Sequence, residues 1–231
     1  MAMEKIQNIR FDDTLLSSPY MKPIRLHFER RGMKLNWDIA LEHDSVACIL
    51  YHRERNALLF VRQFRPPVFV RKVRRLPENI GKGVHDIQWQ EYPISLGETL
   101  ELCAGLMDKQ ALNPLQTMAE EIAEECGYKV PEDQITLIKK FIPSVSISGA
   151  QQYMYYAEID DTMKISEGGG NSHEGEFIEK VFMTLAEAKA YIDQEAVASP
   201  PGFLFAVKWF LSQKAGTVSK TPAKSTSSVI N

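Results

Sequence analysis

Residues Gly105–Tyr128 read GLMDKQALNPLQTMAEEIAEECGY, and the fold is decided by how this stretch is understood. Asn113-Pro114 opens a helix. Asparagine accepts from the first unpaired N–H groups, and proline has no N–H to lose at the first helical position. At about 100° per residue, Leu115, Met118, Ile122 and Cys126 form one apolar stripe. Glu121 and Glu125 stand one turn apart at its edge, with Glu124 on the far side of Glu121. Like charges four residues apart repel by about 0.2–0.5 kcal/mol. Gly127 marks the helix end, so Glu124 and Glu125 also lie in the last turn, where the macrodipole disfavours acids by about 0.3–1 kcal/mol each. A divalent cation reverses both signs. Carboxylates with no neighbouring His or Cys suit Mg²⁺ or Mn²⁺ better than zinc. A solvated acidic face is the bland alternative; the position at a helix end, behind a strand, a glycine and a loop, favours the metal.

On the N-terminal side, residues 24–29 and 34–41 alternate around Arg30-Arg31-Gly32 as a hairpin, and Ser45–Tyr51 and Ala57–Phe64 are stronger strands. Arg65 ends the second of these. Its planar fork matches phosphate oxygens, and Pro66-Pro67 fixes its direction. Residues 76–97 have little periodicity and predict a long surface insertion; Thr99–Ala104 is a strand. On the C-terminal side, 134–142, 151–159 and 177–183 are strand-like. Thr184-Leu-Ala-Glu187 fits a capping box opening one helix, and another follows Pro200-Pro201 to about Lys214. Residues 160–175, with Gly168-Gly169-Gly170, read as a mobile loop. The prediction is an α+β fold: a β-strand subdomain over 1–44, the main domain over 45–215 and a flexible tail over 216–231.

Composition narrows the function. Of 231 residues, 44% are hydrophobic and 25% charged, with a net charge of −3, which excludes disorder over most of the chain and leaves no basic footprint for nucleic acid. No apolar run is long enough for a transmembrane helix, and the charged start MAMEKIQNIRFDD is unlike a signal peptide. Cys48, Cys103 and Cys126 are scattered without a metal-type CxxC, as suits thiols of a reducing compartment. The expectation is a cytoplasmic protein with neither nucleic-acid nor membrane partners.

The helix and its approach resemble the Nudix box, G-x5-E-x7-R-E-U-x-E-E-x-G-U, where U is bulky and apolar. Gly105 and Glu121-Ile122-Ala123-Glu124-Glu125-Cys126-Gly127-Tyr128 match. The chain departs from the box in having one extra residue after Gly105, Ala111 or Leu112 in place of the first glutamate, and Glu120 in place of the arginine. Val61–Pro67, Glu101–Gly105 and Glu174–Phe177 resemble the ADP-ribose and nucleotide-sugar pyrophosphatase branch. SPYMKPIRLHF, NWDIALEHDSV and KWFLSQ are most similar to the animal members that act on UDP-sugars.

That resemblance implies a Nudix α/β/α sandwich and a homodimer whose N-terminal strands help to build the partner's site. The implied reaction is Mg²⁺-dependent hydrolysis of a nucleoside diphosphate sugar, UDP-glucose to UMP and glucose 1-phosphate, with ADP-ribose second. A catalytically silent nucleotide-binding module is the reading outside enzymes. By resemblance the metal ligands are Glu121, Glu124, Glu125 and the Ala104 carbonyl, with Mn²⁺ an acceptable substitute. Glu121 and Glu125 are catalytic through the metal, and Glu176 binds metal or assists the water, with Glu174 the alternative base. Arg65, Trp37 and Glu101 face the substrate. For Trp37 stacking and packing both stand; for Glu101, so do a site role and a plain strand-edge one. Ser144, Ser146 and Ser148 fall in the segment that selects substrate.

Overall fold

The computed structural model describes residues 4–12, 18–171 and 175–213. Strands β1 (Met21–Arg30) and β2 (Met33–Glu42) form the expected hairpin, a two-stranded sheet of its own. The main sheet is built on β3 (Ser45–His52) and β4 (Ala57–Phe64), whose residues Val46–Tyr51 and Ala57–Val61 are buried without interruption. Such runs, in place of alternation, mark strands covered on both faces. Odd and even residues then feed different layers. Val46, Cys48, Leu50, Leu59 and Val61 pack with Met118, Ile122 and Cys126. Ala47, Ile49, Tyr51, Leu58 and Phe60 pack with Ala188, Phe203, Val207 and Phe210 on the opposite face. Helices on both sides of a mixed sheet make the expected sandwich.

The predicted strand over 99–104 is two strands. β5 (Glu98–Glu101) pairs with β4, and β6 (Cys103–Leu106) pairs with β3 at Ser45–Cys48. β4 itself pairs with β3 only at Leu50–His52. One edge of β3 therefore forks, with Glu101 on one prong and Ala104 on the other. β7 (Thr136–Phe141) and β8 (Gln152–Ile159) complete the far side, β8 running parallel to β3, and β9 (Glu179–Thr184) pairs with β4. β9 starts later than the sequence suggested, and Phe177 is exposed.

Two features were not read from the sequence. Pro66–Arg74 is a helix, α1, carrying Arg71, Lys72 and Arg74 in its last turn and burying Phe69 and Val73 one turn apart. Basic side chains around a two-residue apolar contact hide the period. Residues 77–97 lie largely on the surface, as expected, but are ordered as a series of 3₁₀ turns that pack a few side chains under α1. There Ile87 and Trp89 join Phe69 and Val73 in a third cluster, with Phe11 4.9 Å from Trp89 between ring centres. Tight turns carry no helical or strand period to read. The helix of the box is α2 (Pro114–Glu121), and α3 (Leu185–Ile192) and α4 (Pro201–Gln213) follow as expected. Residues 216–231, the expected tail, lie outside the described residues. No helix among the described residues is long and apolar enough to cross a membrane.

Candidate active site

α2 starts as the sequence predicts: Asn113 Oδ1 accepts from the amides of Leu115 and Gln116, and Gln116 Oε1 accepts from Asn113 N at 3.1 Å. The helix continues into a π-helical turn, Ile122–Cys126, and stops at left-handed Gly127, φ 78°. Widened turns of this kind recur at functional sites. The last carbonyls of a helix need donors from outside it, and the segment after β8 supplies them. Gly169 N donates to Glu125 O (2.9 Å), Gly170 N to Glu124 O (3.2 Å) and Ile165 N to Gly127 O (2.8 Å). Lys180 Nζ donates to Cys126 O at 3.1 Å. The segment expected to be a mobile loop is thus the cap of the box helix.

Glu125 is fully buried, deeper than the stripe edge the periodicity suggested. Its Oε2 accepts from Ala104 N at 3.0 Å, while Oε1 has no hydrogen-bond partner. A strand residue's N–H and C=O point to the same edge, so the Ala104 carbonyl faces this side too. Burial, against hydrogen bonds from Cys103 and Ala104, raises the Glu125 carboxyl to about 8, with Glu121 and Glu176 adding to the rise. Glu121 rises to about 7, through burial first and then the charges of Glu124 and Glu176. Glu121 lies directly over β6: a Cβ on Gly105 would stand 1.9 Å from Glu121 Oε1. This is the physical reason for glycine at the start of the box. An orphaned buried oxygen costs about 1–3 kcal/mol, more when charged. Two crowded carboxyls, an orphaned oxygen and a carbonyl are what a hard cation fits.

Glu124 is the outer member, exposed and 3.8 Å from Lys109 Nζ, which hydrogen bonds to Glu120 at 2.8 Å. Glu176 comes in from the capping segment. Its Oε2 accepts from Asn171 N at 3.2 Å, and its charge raises both Glu121 and Glu125. Gly170 makes room for it, since a Cβ there would lie 2.7 Å from Glu176 Oε2. Glu174 lies outside the described residues.

Across the fork, Arg65 Nε and Nη2 donate to the two oxygens of Glu101, each at 2.8 Å, and Thr99 Oγ1 donates to Glu101 Oε1 at 2.6 Å. Burial opposes ionisation of Glu101, but Arg65 and Thr99 outweigh it and hold the carboxyl below its usual range. Glu101 therefore anchors Arg65. A cavity of about 750 Å³ opens here, lined by Arg62, Gln63, Arg65, Glu98, Glu176 and Phe177. Trp37 is placed elsewhere. Its ring is half exposed on β2, and Nε1 donates to Ser146 O at 2.8 Å, so it belongs to the contact between the hairpin and the serine segment.

The chain is 35% identical over 214 residues to the uridine diphosphate glucose pyrophosphatase NUDT14 of Bos taurus, spanning 91% of this chain and 96% of the relative. The chain belongs to the Nudix hydrolases. To the Mus musculus protein of the same name this Nudix chain is 34% identical over 200 residues, 85% of the chain and 90% of the relative. To the GDP-mannose pyrophosphatase of Cronobacter sakazakii it is 30% identical over 156 residues, 67% and 66% of the two chains. No family model matches the chain.

Two parts of this Nudix site were not foreseen from the sequence, Thr99 and Lys109, and Gly170 was read only as part of a mobile loop. Lys109 had a signal, as the one basic residue between Gly105 and Tyr128. A second acidic group lies apart from the box: His52, Glu54 and Asp161 bring possible ligand atoms within 4.8 Å of one another. It sits at the far end of β3 from Ala47, the partner of Ala104, five residues or roughly 16 Å along the strand. Arg53 is paired with Asp160 and Arg55 stands 3.9 Å from Asp161, so guanidinium charge already balances this group.

Proposed function

We propose that the protein hydrolyses the diphosphate bond of nucleoside diphosphate sugars, UDP-glucose foremost, giving UMP and glucose 1-phosphate. The observation that carries the proposal is Glu125, buried with an unpartnered oxygen between Glu121, the Ala104 edge and the charge of Glu176. Glu121, Glu125, the Ala104 carbonyl and the outer Glu124 would hold Mg²⁺, with Mn²⁺ as substitute. When bound, such an ion neutralises diphosphate charge and lowers the pKa of a coordinated water. Arg65 spends two donors on Glu101 and keeps its others for phosphate oxygens, in a direction fixed by the bidentate pair. Glu176, set by the Asn171 amide, takes the water's proton, with Glu174 as the alternative base. The uridine preference rests on relatives named for UDP-glucose that share 34–35% of their residues with this chain.

The working unit in this proposal is a homodimer. Ile24, Leu26 and Phe28 face Ile39, Trp37 and Leu35 across the hairpin, while the opposite face holds the pairs Arg25–Asp38 and His27–Asn36. Ile24, Leu26, Trp37 and Leu41 are exposed, an apolar face of the kind that a second copy covers. A cytoplasmic setting fits the three free, buried thiols.

The test is product analysis with UDP-glucose, GDP-mannose and ADP-ribose, each with Mg²⁺. UMP and glucose 1-phosphate forming fastest supports the proposal. AMP and ribose 5-phosphate forming fastest keeps the chemistry and changes the substrate. No turnover by folded protein makes it a binding module.

A further inference from the structure

Lys109 lies in the loop between β6 and α2 and reaches back over the helix to two acids on the same face, Glu120 and Glu124, four residues apart. The contacts differ. Nζ is 2.8 Å from Glu120 Oε2, a hydrogen bond, and 3.8 Å from Glu124 Oε1, an ion pair with no hydrogen bond. Glu120 stands where the box pattern has arginine, so the helix carries one more negative charge than the pattern and one cation fewer. Within Gly105–Tyr128, Lys109 is the only basic residue against Asp108, Glu120, Glu121, Glu124 and Glu125.

We propose that Lys109 is a resident counter-ion of the carboxylate cluster, tethered by Glu120 so that Glu124 stays available to an incoming divalent cation. Without the tether, Glu124 is the nearest acid left to Lys109, and a metal ion has to displace the ammonium from it. Without Lys109, Glu124 is free and one repelling charge is gone. In this scheme Glu120 acts through Lys109 alone, and Lys109 is a positioning residue that touches neither substrate nor reacting atoms. The proposal rests on the metal reading above.

The test is a double-mutant cycle read by direct binding: Mn²⁺ titration of the full chain at low ionic strength, with free Mn²⁺ followed by electron paramagnetic resonance. Both groups are partly exposed, so effects of about 2- to 5-fold are expected. Lys109→Met tightens Mn²⁺ binding by that factor, and Glu120→Gln weakens it. The double variant keeps the tight binding of Lys109→Met, because Glu120 has nothing left to restrain. Simple charge summation instead returns the double variant, whose net charge equals the wild type's, to wild-type affinity; that result overturns the tether. So does finding no change in either single variant, the mark of a surface pair. If wild type binds no Mn²⁺ that Glu125→Gln removes, the metal reading itself fails, a distinct outcome.

Discussion

The end of the box helix and the N-terminal hairpin treat their side chains in opposite ways. At the helix end the carbonyls of Glu124, Glu125, Cys126 and Gly127 all have donors, Glu101 has both oxygens paired, and the chief unmet demand is one buried oxygen of Glu125. In the hairpin a row of apolar side chains faces solvent, and Ala40 N to Ile147 O and Trp37 Nε1 to Ser146 O tie it to the body. One region is complete except for a charge, the other except for a surface. Each lack supports one part of the proposed function: a small hard cation in the first case, an apolar partner in the second.

The largest expected effect removes the first lack. Glu125→Gln lowers turnover of UDP-glucose by more than about 100-fold and abolishes stabilisation by Mg²⁺, measured by product formation and by thermal melts. Next comes Gly170→Ala, whose added methyl displaces Glu176; about a 100-fold fall in kcat is expected, with KM little changed and the fold retained. The hairpin answers differently. If the proposed dimer forms, Leu26→Glu converts it to monomer by light scattering, while the stability of the dissociated subunit stays within about 0.5 kcal/mol of wild type, as surface changes do. Thr99→Val, which removes one donor to Glu101 and loosens Arg65 without touching substrate, raises KM by a few-fold.

Acidity sharpens the same contrast. Glu121 and Glu125 have folded-state values near 7 and 8, above the ordinary carboxylate value, so metal-free protein binds their protons more tightly than unfolded chain does. The stability they contribute is complete below about pH 4.5 and is lost as pH rises through 8. Melts without metal therefore fall across that window. Glu125→Gln flattens the fall and raises the melting temperature at pH 8 by about 2–4 °C, whereas hairpin substitutions leave the slope unchanged.

Much of the fold was legible because local chemistry and periodicity agreed. Asn113-Pro114 and Thr184–Glu187 start helices where predicted, and the strand runs at Ser45 and Ala57 are the central pair of the sheet. What escaped depends on contacts between segments distant in sequence. Nothing in ELCAGL shows that the strand breaks at Leu102 to join two neighbours, because the break is set by the fork in β3. α1 shows too small an apolar face among its basic residues. The box glutamates could be read as electrostatically wrong for a helix, but spacing alone did not show that Glu125 reaches the Ala104 amide. Nor did it show that the amides of Ile165, Gly169 and Gly170, in the segment after β8, would cap the helix end.

The tryptophans, three in all, report on different parts of the molecule. Trp89 is 3% exposed, tilted against Phe11 and Phe69, and its Nε1 donates to Val84 O; Trp209 leans on Tyr156 within the sandwich; Trp37 is 53% exposed on the hairpin. Intrinsic fluorescence therefore comes from two sources: emitters inside the body, the buried Trp89 and the half-buried Trp209, and a wet one, Trp37, at the proposed seam between subunits. Iodide reaches the second far more readily than the first. The quenchable fraction of the emission is thus a built-in gauge of hairpin coverage, one that follows assembly by dilution while the Trp89 signal reports that the body stays folded.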